Sequence, residues 1–332
     1  MKILVTGGAG YIGSTVCSAL EDRGHTPVVL DSLVTGRLEF AQERIFYQGD
    51  IGDRDLIARI FERHPDIECA IHCAALIVVP DSVARPYDYY LNNVAKSLEL
   101  FRNLELNGCT RIVFSSSAAV YDKVSDFMVR EDSPLNPSSP YAKSKVMVES
   151  ILDDICAATE LRAISLRYFN PIGADPSMRT GQHASEISHV LGKLVEVASG
   201  REPVFRITGT DWPTRDGTGI RDYVHVWDLA SAHVNAVERF DDALEENVSH
   251  LIINLGTGRG VTVKELVTAF ESVIGREIDK EEAPPRPGDV AGAYANADTA
   301  LSLLGWRAEL TIEQAISHAL QWNDVSQRVI GR

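Results

Sequence analysis

Two textures alternate through the first half of the chain. Short continuous apolar runs at Lys2–Thr6 (KILVT), Pro27–Asp31 (PVVLD), Ile45–Gln48, Cys69–Cys73 and Arg111–Ser115 (RIVFS) are rich in β-branched and aromatic residues. Runs that lack polar alternation suit strands buried on both faces of a parallel sheet. Between them, apolar residues recur at helical spacing. Ile12, Val16, Ala19 and Leu20 form one such stretch, with Gly24 as its C-cap; longer helices are predicted at Tyr87–Asn107 and Tyr141–Thr159. Strand–helix alternation predicts an α/β fold with a doubly wound parallel sheet and right-handed crossovers.

Beyond about Arg167 the rhythm breaks at Pro171, Gly173, Pro176, Gly181, Gly209, Pro213, Gly217 and Gly219. Helices are predicted at Ser185–Ser199 and Val226–Phe240, a strand at Leu251–Asn254, and a proline-rich loop at Ala283–Gly288. The expected organisation is one lobe from 1–168 with 215–254, and a smaller, discontinuous α/β lobe from 169–214 with 255–332. The length of 332 residues fits two such units at about 150 residues per domain.

Composition narrows the class. Hydrophobic residues at 45% and charged residues at 24% suit a soluble globular protein and exclude a disordered or collagen-like chain. The net charge of −15 argues against nucleic acid and anionic membranes as partners. Five cysteines without a C-x-x-C pair give no metal clip or disulfide framework, so reduced thiols and a cytoplasmic location are expected, with no metal. The apolar run before Thr6 is too short for a signal peptide, and Cys69–Pro80 is too short to span a bilayer.

The first chemical signal is Thr6-Gly7-Gly8-Ala9-Gly10-Tyr11-Ile12-Gly13, between the first strand and the first helix. Gly7, Gly10 and Gly13 permit a tight turn, close approach of backbone to a pyrophosphate, and close helix–strand packing; the helix N-terminus offers N–H groups to phosphate oxygens. This marks the first lobe as a dinucleotide-binding (Rossmann) domain. Asp31 ends the second strand, where a carboxylate accepts hydrogen bonds from the adenosine ribose and repels a 2′-phosphate, favouring NAD over NADP. Arg37 is either a counterweight to such a phosphate or a solvated surface arginine. Asp50 and Ile51 either flank the adenine or belong to a solvated loop.

The second signal is a Tyr–Lys pair. Tyr141 and Lys145 are four apart and share a helix face, and Ser115-Ser116-Ser117 ends the preceding strand at the sheet edge where ligands bind. Alcohol oxidation needs a base for the hydroxyl proton while a hydride leaves for nicotinamide. Bringing a phenol from about 10 to neutrality takes roughly 4 kcal/mol. Two cations at ~6–7 Å, one of them Lys145, each supply about 2 kcal/mol at an effective dielectric near 20. A serine would hold the reacting oxygen. The alternative is an ordinary helix tyrosine beside an exposed lysine.

Together TGGAGYIG, FSSSAAVY, SPYAKSK, LRYFNPIGA, DGTGIRDYVHVWDLA and PRPGD resemble the extended short-chain dehydrogenase/reductase family, from Met1 to about Trp322. Within that family the chain is similar to the NAD-dependent isomerases that epimerise C4 of a UDP-hexose, UDP-glucose or UDP-galactose, through a transient 4-keto sugar. The resemblance implies Ser117, Tyr141 and Lys145 as catalytic residues. It implies Gly7, Gly10, Tyr11, Ile12, Gly13, Asp31, Ser32, Asp50, Ile51, Ala74, Ala75, Asn93, Ser115, Tyr141, Lys145 and Tyr168 around NAD. For the UDP-sugar it implies Ser117, Tyr141, Asn170, Val190, Arg221, Arg286 and Asp289. Guanidinium groups suit diphosphate oxygens; surface solvation is the alternative for both arginines. It also implies a homodimer formed through 87–107 and 141–159.

Four departures from the family pattern stand out. Leu76 and Ile77 replace a lysine or arginine near the nicotinamide, Asp122 replaces a glycine, and Ser188-His189-Val190 replaces an expected Asn-Asn or Leu-rich pair. His189 is either a ligand contact or a helix histidine. Gly292 and Ala293 are small where a bulkier gate can stand, which leaves room for an N-acetylated sugar. Ala118 and Ala119 occupy the places where sugar-nucleotide dehydratases and decarboxylases carry extra acids, which disfavours elimination. A UDP-uronate epimerase and a non-enzymatic NAD-binding scaffold are the other readings.

Overall fold

Both faces of the predicted sheet are covered, and strand period two assigns each residue to one of them. In the computed structural model, which describes residues 1–183, 189–245, 247–285 and 290–331, the strands are β1 (Lys2–Thr6), β2 (Thr26–Asp31), β3 (Ile45–Gln48), β4 (Ile67–His72), β5 (Arg111–Ser115), β6 (Arg162–Tyr168) and β7 (His250–Leu255). They form one sheet in the order β7-β6-β5-β4-β1-β2-β3, every neighbouring pair parallel. Ile3, Val5, Val29, Ile71, Val113 and Ile164 point to one side, towards α1 (Tyr11–Asp22); Leu4, Val28, Leu30, Ala70 and Ile112 point to the other, towards α2 (Arg54–Arg63) and α3 (Lys96–Leu106). Each such side chain, fully buried, contributes about 1.5–3 kcal/mol. The sheet is extended in opposite directions from β1, so the carboxyl ends of β1 and β4 frame the crevice where this fold binds ligands.

The predicted helix Tyr87–Asn107 is not continuous. A short helix Pro86–Tyr90 runs into a π-helical turn at Leu91–Ala95, then into α3. The turn's cause is Asn93: its side chain accepts from Leu76 N (2.8 Å) and donates to Leu76 O (2.9 Å) and Ser144 Oγ (3.2 Å), which draws the backbone inward. Single π-turns of this kind gather at functional sites. The predicted Tyr141–Thr159 helix is α4 (Pro140–Ala158), started by Pro140 and by the Ser139 hydroxyl accepting from Ala142 N. Of the predicted Ser185–Ser199 helix, residues 185–188 lie outside the described residues, and α5 spans Val190–Ala198. The helix predicted at Val226–Phe240 is α6 (Val226–Glu238), which packs on α1 and the sheet.

A separate core gathers Ile172, Leu191, Leu194, Phe205, Tyr223, Leu266, Phe270 and Ile316. The strand Ile220–Arg221 pairs with Val261–Thr262 and Gly292–Ala295, and Gly292–Ala295 pairs with Met128–Val129. The late helix Asp298–Leu304 returns to the sheet and buries Ala300, Leu304 and Trp306 in its core. Segment 173–183 straps across α1: Tyr11 Oη donates to Gly173 O (2.7 Å), Thr15 and Thr180 hydroxyls are hydrogen-bonded (3.0 Å), and Arg179 makes two bonds to Asp22 (2.7 and 2.9 Å). Among the described residues no helix is long and apolar enough to cross a membrane.

Candidate active site

The glycine turn is built by close approach. Gly7 has φ +71°, and a Cβ there would lie 2.7 Å from Ala74 N; a Cβ on Gly13 would lie 2.2 Å from Gly7 O. β1 and the β4–Ala74–Ala75 exit can therefore touch only with these glycines. α1 starts at Gly10 with no side-chain cap and no acidic residue in its first turn, so the N–H groups of Tyr11, Ile12 and Gly13 face the crevice end of the helix. Tyr11's own phenol is turned away, onto Gly173. Asp31 is buried, and its carboxylate accepts from Ala9 N (3.0 Å) and Leu33 N (2.8 Å). A carboxylate has about four lone-pair sites, so two still suit ribose hydroxyls. Ser32 beyond it is exposed. A bare helix terminus, a Cβ-free turn and a buried acceptor at the second strand's end fit a dinucleotide.

Asp50 is held in an ion pair with Lys96 and accepts from Gly52 N (2.9 Å), while Ile51 is buried. The cation at the start of α3 is a partner that the sequence reading did not pair with Asp50, and both of its alternatives for Asp50 stay open. Asn93, in the π-turn, is buried and holds Leu76 just beyond Ala74 and Ala75.

The three candidate catalytic side chains converge at the end of β5. Tyr141 sits in the first turn of α4 and Lys145 one turn on, 7% and 3% exposed. Lys145 Nζ donates to Ser115 O (2.7 Å) and lies 5.9 Å from the centre of the Tyr141 ring. Ser117 is the hydrogen-bond partner of the Tyr141 phenol. Burial pushes the Lys145 ammonium down to about 8, against the opposing pull of Cys73 and Glu149. The Tyr141 phenol is also raised by burial, and the Ser117 hydrogen bond opposes that. Burial is the larger of the two effects, which leaves the lowering of the phenol to the two cations expected from the sequence, Lys145 and the nicotinamide of a bound cofactor. Ser115 Oγ joins His233 Nε2 (2.9 Å) and Cys73 Sγ (3.2 Å) and also bonds the half-buried Tyr168. His233 Nδ1 donates to Leu229 O (2.8 Å), so its Nε2 accepts.

Behind the trio lies a buried group that the sequence reading missed. Glu149 accepts from Ser116 Oγ (2.5 Å) and from Arg167 Nε and Nη2 (2.9 and 2.7 Å). Arg167 Nη1 also donates to Tyr121 Oη (3.0 Å), which donates to Asn254 Oδ1 (2.6 Å). The available signal was spacing, since Glu149 follows Lys145 by four as Lys145 follows Tyr141.

On the sugar side, Asn170 is exposed at the start of Asn170–Ile172. Arg221 is folded back: its Nη1 donates to Ile220 O (2.7 Å) and Ala291 O (3.0 Å), and its Nη2 to Val290 O (3.2 Å). It is therefore no solvated surface arginine. Neighbouring Asp222 braces it, accepting from Thr257 N, Gly258 N and Ala295 N. His189 caps α5 through Nδ1, which accepts from Gly192 N (3.1 Å), and its Nε2 is buried without a partner among the described residues. Val190 opens that helix. Leu76 is fixed by Asn93 and Ile77 is exposed; Asp122 accepts from Asn136 Nδ2 (3.1 Å). Arg286 and Asp289 lie outside the described residues.

A dinucleotide cradle beside a Ser–Tyr–Lys trio, on a doubly wound sheet, defines an enzyme that works at an alcohol carbon with a nicotinamide cofactor. The chain belongs to the NAD dependent epimerase/dehydratase family, whose profile matches residues 3–256. It is 42% identical to a UDP-glucose 4-epimerase of Azospirillum brasilense, over 100% of this chain and 94% of that one. It is similar to the UDP-glucose 4-epimerase of Stenotrophomonas maltophila, solved with NAD and formylated UDP-arabinopyranose, at TM-score 0.94 and 36% identity over 99% of each chain. The enzyme from Bifidobacterium longum, solved with NAD+ and UDP, superposes at TM-score 0.90 and 35% identity over 98% of each chain.

Proposed function

We propose that this chain interconverts the C4 epimers of a UDP-hexose, UDP-glucose and UDP-galactose, with NAD held throughout. The observation that carries this reading is the meeting of Tyr141, Lys145 and Ser117 at the sheet edge beside the glycine cradle, in a chain similar over its whole length to enzymes of that name. In this reading Tyr141 takes the proton of the sugar 4-hydroxyl, Ser117 holds that oxygen, and Lys145 offsets the phenolate's charge. NAD, when bound, supplies the acceptor for the C4 hydride, which returns to the opposite face after the transient 4-keto sugar turns. The N–H groups of Tyr11, Ile12 and Gly13 would hold the cofactor's pyrophosphate and Asp31 its ribose, with Ser32, Asp50, Ile51, Ala74, Ala75, Asn93, Ser115 and Tyr168 around the rest. Arg221, Asn170 and Val190, with Arg286 and Asp289, would take the UDP-sugar. Small side chains at Gly292 and Ala293, on a strand paired with Arg221, favour acceptance of an N-acetylated hexose as well.

In this reading 1–168 with 215–254 mainly serves NAD and 169–214 with 255–332 the nucleotide sugar, with exchanges at the boundary: Met128–Val129 and Ile220–Arg221 join the second lobe's sheet, and Asp298–Leu304 packs on the first. The chain works as a cytoplasmic homodimer. The dimer is supported by Tyr87, Leu91, Leu98 and Met147, exposed apolar side chains on elements that pack on one another around α3 and α4. The test is incubation of purified protein with UDP-galactose and with UDP-N-acetylgalactosamine, following the C4 epimer by NMR and assaying NAD released on denaturation. Absence of both an epimer and bound NAD overturns the reading.

A further inference from the structure

We propose that Glu149 is a positioning residue for this reaction: its carboxylate ties the Ser115–Ser117 turn to the helix carrying Tyr141 and Lys145, and its charge sustains the Lys145 ammonium. The proposal rests on the function given above and deepens it. Tyr141, Lys145 and Glu149 follow one another at intervals of four, on one face of α4, and all three are buried. Three consecutive serines leave β5 opposite that face, and each makes one contact across the seam. Ser115 offers its carbonyl to Lys145 (2.7 Å), Ser116 donates to Glu149 (2.5 Å), and Ser117 meets the Tyr141 phenol. The Ser116–Glu149 bond therefore ties the middle serine of the turn to the helix one turn beyond Lys145, and with the other two contacts sets the register of turn against helix.

Arg167 fixes Glu149 in turn. It binds both carboxylate oxygens, and its guanidinium lies 5.0 Å from the centre of the Tyr121 ring, just beyond the turn that Ser117 caps. A buried ion pair is a weak source of stability and an apolar pair of the same volume often does as well. What such a pair provides here is a single geometry, and misplacement by an ångström costs about 10²-fold in rate. Around Lys145 stand His72 and Cys73 at the end of β4, Tyr141 and Glu149 on its own helix, and Arg167 and Tyr168 on β6. Burial lowers His72 to about 3 and raises Cys73 to about 11, so both are neutral near pH 7. Among the described residues the carboxylate facing Lys145 is that of Glu149.

The experiment uses the purified NAD-loaded chain with Glu149→Gln, Glu149→Asp and Ser116→Ala, measuring kcat, KM for UDP-galactose, bound NAD and the pH profile of kcat. Glu149→Gln should lower kcat about 10- to 100-fold with KM within about twofold, and move the alkaline limb acidward by about one pH unit. Glu149→Asp should restore the limb but not the full rate. Ser116→Ala should lower kcat without moving the limb. If Glu149→Gln fails to fold, the double variant Glu149→Gln/Arg167→Gln takes its place for kcat, with the same loss expected but little movement of the limb, because a cation leaves with the carboxylate. The charge role is then read from Glu149→Asp alone, whose limb should match wild type; a limb moved acidward there overturns it. An unmoved limb in a folded Glu149→Gln overturns the charge role, and wild-type kcat in both the folded variant and Ser116→Ala overturns the positioning role. An inactive wild-type chain would instead sink the function on which the proposal rests.

Discussion

Replacing Lys145 by Met should move activity and stability in opposite directions. The ammonium lies 5.9 Å from the Tyr141 ring centre. At an effective dielectric near 20, a unit charge about 6 Å away is worth about 3 kcal/mol, or about 2 pH units on the phenol. Near neutral pH the phenolate fraction, and kcat with it, should fall about 100-fold, with the acid limb of the kcat profile displaced upward by about 2 units. Stability should respond the other way. Burial brings Lys145 from its ordinary 10.5 down to about 8, so keeping it charged near pH 7 costs the folded chain about 3 kcal/mol. Met removes that cost and forfeits the hydrogen bond to Ser115 O, worth about 1.5–3 kcal/mol for a charged donor. The variant should therefore melt at or a little above the wild type. The folded chain binds this proton less tightly than the unfolded one, so wild-type stability should rise with pH between about 8 and 10.5. That rise should be missing from the variant. The assay is conversion of UDP-galactose across pH 5–10, roughly spanning both limbs, paired with denaturant melts at the same pH values. An unmoved acid limb, or a loss of several kcal/mol of stability, would refute the reasoning.

Tyr141→Phe should abolish epimerisation while leaving NAD content at the wild-type level, read by absorbance after denaturation; wild-type turnover would remove Tyr141 as the base. Gly13→Ala places a methyl 2.2 Å from Gly7 O, so the variant should purify with little NAD and melt at a lower temperature. Asn93→Ala leaves Leu76 N and O without partners and undoes the cause of the π-turn. It should cost about 2–3 kcal/mol in urea denaturation and weaken NAD retention on dilution. Ala293→Tyr should suppress turnover of UDP-N-acetylgalactosamine more than of UDP-galactose, compared as kcat/KM.

The sheet was legible because its strands are short, apolar on both faces and punctuated by glycine. The runs at Lys2–Thr6, Ile45–Gln48 and Arg111–Ser115 have the predicted bounds. The glycine turn and the Tyr–Lys spacing were legible because each is a local constraint on backbone or helix face. What escaped was set by partners far along the chain. The π-turn at Leu91–Ala95 keeps helical periodicity in sequence and is decided by a bond from Asn93 to Leu76. Asp50 shows no partner in sequence until α3 brings Lys96 to it. The direction of the Tyr141 shift depends on how deeply the phenol is buried, which no spacing records. Arg221 was placed by its motif, but its packing on the Val290 and Ala291 carbonyls needed the strand pairing of a segment about seventy residues later.

β7 has a consequence for how the protein is made. It pairs with β6 along its whole length, yet its residues run only from His250 to Leu255. A ribosome delivers β1 to β6 well before it delivers that strand. For the intervening stretch of translation, β6 presents an open row of N–H and C=O groups. During the same interval the apolar side chains of α6 wait for a finished surface. The matched family region ends at residue 256, one residue beyond β7. Nascent chains released before about residue 250 should therefore be the dangerous species, prone to pair with one another along β6 and dependent on chaperones. Chains released just past Leu255 should already have β6 paired, with the shorter β7 as the edge that the helix Asp298–Leu304 later packs on.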